Sequence, residues 1–234
     1  MNEAVLYLIP TVLEESATQT IPAYVLEAVK QCSVIFAENE RTARRFLKRL
    51  DKEIVIDDFE WFAIHKSEQE QVMQLVQKIK EKKIIAIISE AGCPGVADPG
   101  QILIRTAQEM NVTVKPLVGP SSILLALMAS GMNGQRFEFV GYLPIEQQER
   151  IKRLKEMEAY SLKHNCTQIF IETPYRNPAL WQALMTHLKG STRVCMASGL
   201  TLPQAHIECH DVQTWRQKNR TPPKDVPTVF AIGV

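Results

Sequence analysis

Several short stretches of this chain hold reactive side chains where a strand end or a helix start would present them. In AENERTARRFLKRL, Glu38 and Glu40 stand just after an apolar run, and Arg41, Arg44, Arg45, Lys48 and Arg49 follow. Carboxylates so placed can take a proton from a hydroxyl, and the cations can contact phosphate or stabilise developing negative charge. A solvated basic helix balanced by its own acids would have the same composition. In EAGCPGVADPG, three glycines (Gly92, Gly95, Gly100) and two prolines (Pro94, Pro99) enclose Cys93, Val96 and Asp98. Glycine admits close backbone approach and proline fixes φ, so the loop can offer N–H and C=O groups to a polar ligand at low entropic cost. A tight structural turn would use the same residues. FIETPYRNPAL brings Glu172, Tyr175 and Arg176 to the exit of another apolar run, either as site residues or as a plain salt bridge. Ser121 and Ser122 in VGPSSILLAL can cap a helix, or offer hydroxyls and N–H groups to a carboxylate or a ribose. In HIECH, a strand would put His206 and His210 on one face and Cys209 on the other, so no metal site is expected there.

These residues need elements to hold them. Apolar runs of strand length recur at 4–9, 33–37, 84–89, 112–118, 137–141, 168–172, 193–197 and 228–232, alternating with helical periodicity. That alternation predicts an α/β protein whose sheets are covered on both faces. Ala43, Phe46, Leu47 and Leu50 form the buried stripe of one helix. Ser67 and Glu70 have the spacing of a capping box ahead of Val72, Met73, Leu75, Val76 and Ile79. Asn177 and Pro178 supply an N-cap and first helical residue, and Gly190 a stop. ERIKRLKEMEAYSLKHN reads as a solvated helix. Gly119 and Pro120 interrupt KPLVGPSS between a strand and a helix, which sets the expected domains at 1–116 and 117–234.

The composition excludes some classes. With 234 residues, 45% hydrophobic and 23% charged, the chain has room for one large domain or two modest ones. A formal net charge of +1 provides no global attraction to nucleic acid, so any such binding must use a local patch. Five scattered cysteines read as reduced thiols in a cytoplasm. The longest apolar run, 123–129, falls short of the ~20 residues that cross a bilayer, so no membrane association is expected. G-x-G-x-x-G after a strand, G-x-x-x-x-G-K-[ST], G-x-S-x-G and C-x-x-C are all missing, which removes the common dinucleotide, nucleotide-hydrolase and serine-hydrolase readings.

SEAGCPGVADPG, then PLVGPSSILLALMASGM, FEFVGYLP and IETPYR, in that order, resemble the tetrapyrrole methylase family of S-adenosylmethionine-dependent methyltransferases. Within it, the chain is most similar to the bacterial branch that methylates ribose 2′-hydroxyls of small-subunit ribosomal RNA. The resemblance implies two α/β domains with S-adenosylmethionine in the cleft between them, and a homodimer. By position it assigns Pro10, Cys93, Val96 and Asp98 to the cofactor from the first domain, and Ser122, Ile123, Tyr175, Asn177, Ala197 and Thr228 from the second. It gives Glu38 or Glu40 the role of base, with Arg41 and Arg176 contacting phosphate or stabilising charge. The branch's Ala-Glu-Asp-Thr-Arg motif reads Ala37, Glu38, Asn39, Glu40, Arg41 here, and Gly199 and Leu202 replace an acid and a lysine. Two other readings stay open: a methyltransferase for a tetrapyrrole or other small molecule, and a cofactor-binding module without catalysis.

Overall fold

Covering a sheet on both faces makes its strands continuously apolar, and the side-chain alternation then divides each strand between two cores. The computed structural model describes residues 3–64, 68–218 and 220–234. The chain divides into two compact units, Met1–Ser121 and Ser122–Val234.

The first unit contains β1 (Val5–Ile9), α1 (Ala23–Gln31), β2 (Val34–Ala37), α2 (Glu40–Leu50), β3 (Glu60–Ala63), α3 (Glu68–Lys80), β4 (Ile84–Ile88), α4 (Gln101–Glu109) and β5 (Thr113–Pro116). Its sheet runs β3-β2-β4-β1-β5, with every neighbouring pair parallel. Ile85 and Ile87 of β4 join Leu6, Val34, Phe36, Leu75 and Leu103 on one face, while Ala86 and Ile88 join Ile9, Ile35, Ala37, Phe46 and Leu47 on the other. Full burial of each large aliphatic side chain contributes about 2 kcal/mol. In α2, Ala43, Phe46 and Leu47 are buried and Leu50 packs against them.

In the first unit the structure departs from the sequence reading at three places. The strand read over 112–118 is β5, only Thr113–Pro116; Leu117 N still donates to Leu8 O at 3.1 Å, but Val118 is exposed. β3 was not anticipated, because EWFA is a short edge strand with an exposed Glu60 and no long apolar run. Met73, placed with the apolar face of α3, points to solvent, while Leu75 and Ile79 are buried. The capping box rests on Ser67, which lies outside the described residues.

The second unit contains α5 (Ser122–Ser130), β6 (Phe137–Tyr142), α6 (Gln147–His164), β7 (Thr167–Glu172), α7 (Asn177–His187), β8 (Arg193–Ser198), β9 (His206–Asp211), α8 (Val212–Lys218) and β10 (Thr228–Gly233). The sheet order is β6-β7-β10-β8-β9; β6 and β7 are parallel and the other pairs antiparallel. Phe170, Val194, Met196 and Phe230 pack with Leu154, Leu184 and Trp215 on one face, and Ile169, Cys195, Ala197 and Val229 pack with Ile123 and Leu127 of α5 on the other.

The charged helix α6 is not simply solvated. It buries Arg150, Leu154, Met157, Glu158 and Ser161, a stripe at helical spacing. Arg150 Nη1 donates to Ile145 O at 3.0 Å, and Glu158 Oε1 accepts from Lys189 N and Thr192 Oγ1 at 2.8 and 2.5 Å, so charged side chains pin the helix to neighbouring loops. Asn177 does not cap α7. A short 3-10 turn, Pro174–Arg176, feeds straight into the helix, and Asn177 already has helical dihedrals (φ −51°, ψ −42°). Gly190 does not stop α7 either; the helix ends at His187, and Gly190 O accepts from Gln213 N at 2.9 Å.

Candidate functional site

In open parallel sheets the loops beyond the strand C-termini are the usual ligand sites, and in the first unit three such loops are tied together. Thr11, just past β1, forms an isolated antiparallel bridge with Gly92, past β4: Thr11 N donates to Gly92 O at 2.8 Å and Gly92 N to Thr11 O at 3.3 Å. Ser89 Oγ donates to Gly92 O at 2.9 Å. Glu38, past β2, donates its N–H to Ile88 O at 3.4 Å, and Thr42 Oγ1 reaches Glu90 Oε1 at 3.3 Å. A cavity of about 140 Å³ among these loops is lined by Thr11, Glu14, Thr42, Arg49, Ser89 and Glu90.

Some glycines are explained by this geometry alone. Gly95 has φ +76°, and an added Cβ would lie 2.8 Å from Ile104 Cδ1, so the loop's own path requires glycine there. Gly119 has a different reason: a Cβ would land on the ring of Pro10, which fixes the close approach of the loops after β1 and β5. Cys93 Sγ lies 3.6 Å from Pro120 O. Burial, with Asp98 as a secondary cause, pushes that thiol up, away from thiolate character.

Asp98 is the electrostatically unusual group. Its Oδ2 is buried without a hydrogen-bond partner, and burial, reinforced by Glu38 and Glu90, raises its carboxyl to about 7. The loop therefore gathers three carboxyl groups in one field, one of them holding a proton near neutrality. The linkage has a definite sign. Between about pH 4 and the raised value the native state keeps a proton that the unfolded chain releases, so stability falls as pH rises through that window and the penalty is constant above it. Asp98→Asn is expected to stabilise the protein most at pH 8, with the gain fading as pH approaches about 4. Denaturant midpoints for both proteins across that range would show a constant difference if Asp98 titrated normally.

Four of the six charged residues of α2 have a partner among the described residues, two of them within the helix. Asn39 caps it, its Oδ1 accepting from Arg41 N at 3.0 Å and Thr42 N at 3.4 Å. Asparagine does this as well as aspartate, so the changed motif residue keeps its cap while losing a charge. Glu40 pairs with Arg44 at 3.0 Å, and the Arg44 guanidinium lies 4.9 Å over the Trp61 ring. Arg49 pairs with Glu15, and Lys48 Nζ donates to Lys52 O at 2.9 Å. Arg41 and Arg45 are exposed. Of the two candidate bases, Glu38 stands at the strand end beside Asp98, and Glu40 is engaged on the helix.

In the second unit, Glu172, Thr228 and Ser198 form one row across β7, β10 and β8. Ser198 Oγ and Thr228 Oγ1 lie 2.9 Å apart. Glu172, whose side chain is fully buried, holds Arg176 through Nε at 2.8 Å and Nη2 at 2.6 Å, so Arg176 serves a buried carboxylate. Ala197, Asn177 and Thr228 are buried, and Ser122 and Ile123 open α5. Tyr175 is 75% exposed and is the open aromatic surface among the second-unit candidates. No group of three or more His, Cys, Asp or Glu side chains among the described residues is arranged to hold a metal ion. His206 and His210 both engage Glu208, at 2.5 and 3.1 Å.

Glu38 and Asp98 are legible in the sequence as separate candidates, whereas Glu90 and the Thr11–Gly92 bridge are not. Their only signal was position beside a strand end.

Residues 17–213 match the family model described as Tetrapyrrole (Corrin/Porphyrin) Methylases. A curated relative from Escherichia coli O157:H7, named ribosomal RNA small subunit methyltransferase I, is 32% identical over 201 residues, which cover 86% of this chain. This chain spans 66% of that relative's length. Among solved structures, diphthine synthase aligns with a TM-score of 0.68 at 11% identity, covering 99% of this chain and 90% of that one. Uroporphyrin-III C-methyl transferase from Thermus thermophilus, complexed with S-adenyl homocysteine, aligns with a TM-score of 0.55 at 12% identity, covering 99% and 97%. At these identities the structures establish a shared fold.

Proposed function

This chain belongs to the tetrapyrrole (corrin/porphyrin) methylase family, and from that premise we propose that it transfers a methyl group from S-adenosylmethionine to a ribose 2′-hydroxyl of small-subunit ribosomal RNA. The name and extent of the Escherichia coli relative support the choice of acceptor. The observation that carries the reading is the joining of a Gly/Pro loop and the carboxyl groups of Glu38, Glu90 and Asp98 at the C-terminal ends of parallel strands.

The residues present fit the cofactor. Asp98 Oδ2 is buried without a partner, and a cationic or hydrogen-bond-donating ligand would satisfy it. Backbone groups around Pro10, Cys93 and Val96 would supply further contacts, and Tyr175 would offer an aromatic face to adenine. Ser122, Ile123, Asn177, Ala197 and Thr228 complete the second unit's candidates. When bound, S-adenosylmethionine supplies an electrophilic methyl on a sulfonium, a good leaving group.

The protein's task is then alignment and proton removal. Glu38 accepts the proton of the ribose hydroxyl, and Arg41, exposed at the start of α2, contacts phosphate. Arg176 acts indirectly, by holding Glu172. The same reading takes the working form as a cytoplasmic homodimer. Supplied with labelled S-adenosylmethionine and undermethylated small ribosomal subunits, the protein should label the RNA. Glu38→Gln should slow transfer about a hundredfold or more while leaving cofactor affinity intact, and Glu40→Gln should have a much smaller effect. Label entering a tetrapyrrole or other small molecule while RNA stays unlabelled would replace the acceptor; label entering neither would favour a binding module.

A further inference from the structure

Two thiols in the second unit face each other and take no part in this chemistry. Cys195 of β8 and Cys209 of β9 are direct partners in an antiparallel pair. Val212 N donates to Thr192 O, and Gly199 N to Pro227 O, which fixes the alternation along β8. It directs the backbone groups of Cys195 toward β10 and makes Cys195 and Cys209 a non-hydrogen-bonded pair across β8 and β9. Such pairs bring their Cα atoms to about 4.5 Å, inside the range of about 4.4–6.8 Å that a disulfide spans. Both side chains lie on the face toward α5, where Cys195 is fully buried and Cys209 half-buried at the sheet edge.

The surroundings of the two sulfurs differ. Arg193, two residues before Cys195 on the same face, donates from Nη2 to Cys209 Sγ at 3.5 Å. Asp211 lies opposite Arg193 in register. Glu208, with its ring of cations, points to the other face. We propose that Cys209 and Cys195 form a reversible oxidation site for peroxides, with Cys209 as the nucleophile and Cys195 as the resolving thiol. The hydrogen bond from the Cys195 thiol, followed by that from Arg193, outweighs burial and holds Cys209 below the ordinary thiol range. The half-buried Cys93, lacking such donors and facing Asp98, is pushed the other way.

The step balances with hydrogen peroxide as oxidant. The Cys209 thiolate attacks one peroxide oxygen, the O–O bond breaks, and Cys209 becomes a sulfenic acid with release of hydroxide. The Cys195 sulfur then displaces that oxygen, forming the S–S bond and releasing water. The two sulfurs together lose two electrons, which the peroxide oxygens gain. A thiol reductant reverses it.

In the full wild-type chain at pH 7, iodoacetamide should label Cys209 about fivefold faster than Cys93. The greater thiolate fraction is partly offset by the lower intrinsic nucleophilicity of a low-pKa thiol. Equimolar hydrogen peroxide should yield a peptide linking Cys195 to Cys209 that dithiothreitol separates. In Cys195→Ser, dimedone should trap a sulfenic acid at Cys209. The proposal is overturned if Cys209 labels no faster than Cys93, or if peroxide carries Cys209 to the sulfinic acid while Cys195 remains a free thiol.

Discussion

Replacing Gly119 by alanine is expected to destabilise the first unit and to disturb the Gly/Pro loop with it. The added Cβ would overlap the Cβ and Cγ of Pro10 and lie 3.6 Å from its Cα. A proline ring has no alternative rotamer to retreat into, so the backbone after β1 must move. Thr11 is next in the chain and is bridged to Gly92, so the shift is passed to the Gly/Pro loop. Overpacking of this kind costs about 1–3 kcal/mol. Gly134→Ala is the control, because nothing lies within 4 Å of the atom it would add. Denaturant midpoints should fall for Gly119→Ala and stay put for Gly134→Ala; equal behaviour would show that the Pro10 contact is not a constraint.

The second large effect concerns Arg176. Its removal by Arg176→Ala leaves Glu172, whose side chain is fully buried, without its charge partner. Glu172 Oε1 would keep only Thr173 N, at 2.7 Å, and the longer contact to the Thr173 hydroxyl, while Oε2 already has no partner. Stranding a buried carboxylate is far more costly than replacing both partners by apolar groups, and the expected loss is about 10 °C in Tm. The double variant Glu172→Leu with Arg176→Met should recover much of that loss. If Arg176→Ala alone melts like the wild type, Arg176 is available to bind phosphate directly.

How far the sequence could be read depends on whether a feature is local. β2 and β4 were legible because both of their faces are buried, which leaves VIFA and IIAII wholly apolar. The buried stripe of α2 was legible from its spacing. β3 was not, since an edge strand with an exposed glutamate carries little periodic signal. Nor was the buried face of α6, where Arg150 and Glu158 are satisfied by Ile145, Lys189 and Thr192, partners that only folding brings near.

The Gly/Pro loop announced itself through composition. Its electrostatics did not, because Asp98, Glu38 and Glu90 meet only once β2 and β4 pair in parallel. The reason for Gly119 was hidden in the same way: Pro10 reaches it through the pairing of β1 with β5. The cysteines at 195 and 209 are scattered in sequence and become a pair only through the register of β8 with β9.

The proposed cofactor site is the loop from Ser89 to Gly100, with Asp98. It is tested most directly by calorimetric titration of the purified, folded chain with S-adenosylmethionine and with S-adenosylhomocysteine. Saturable binding with a Kd of about micromolar order is expected, weakened by Gly95→Val, whose side chain collides with Ile104 in a backbone conformation that valine resists. If neither compound binds protein shown to be folded, this loop is not a cofactor site, and the proposed transfer reaction falls with it.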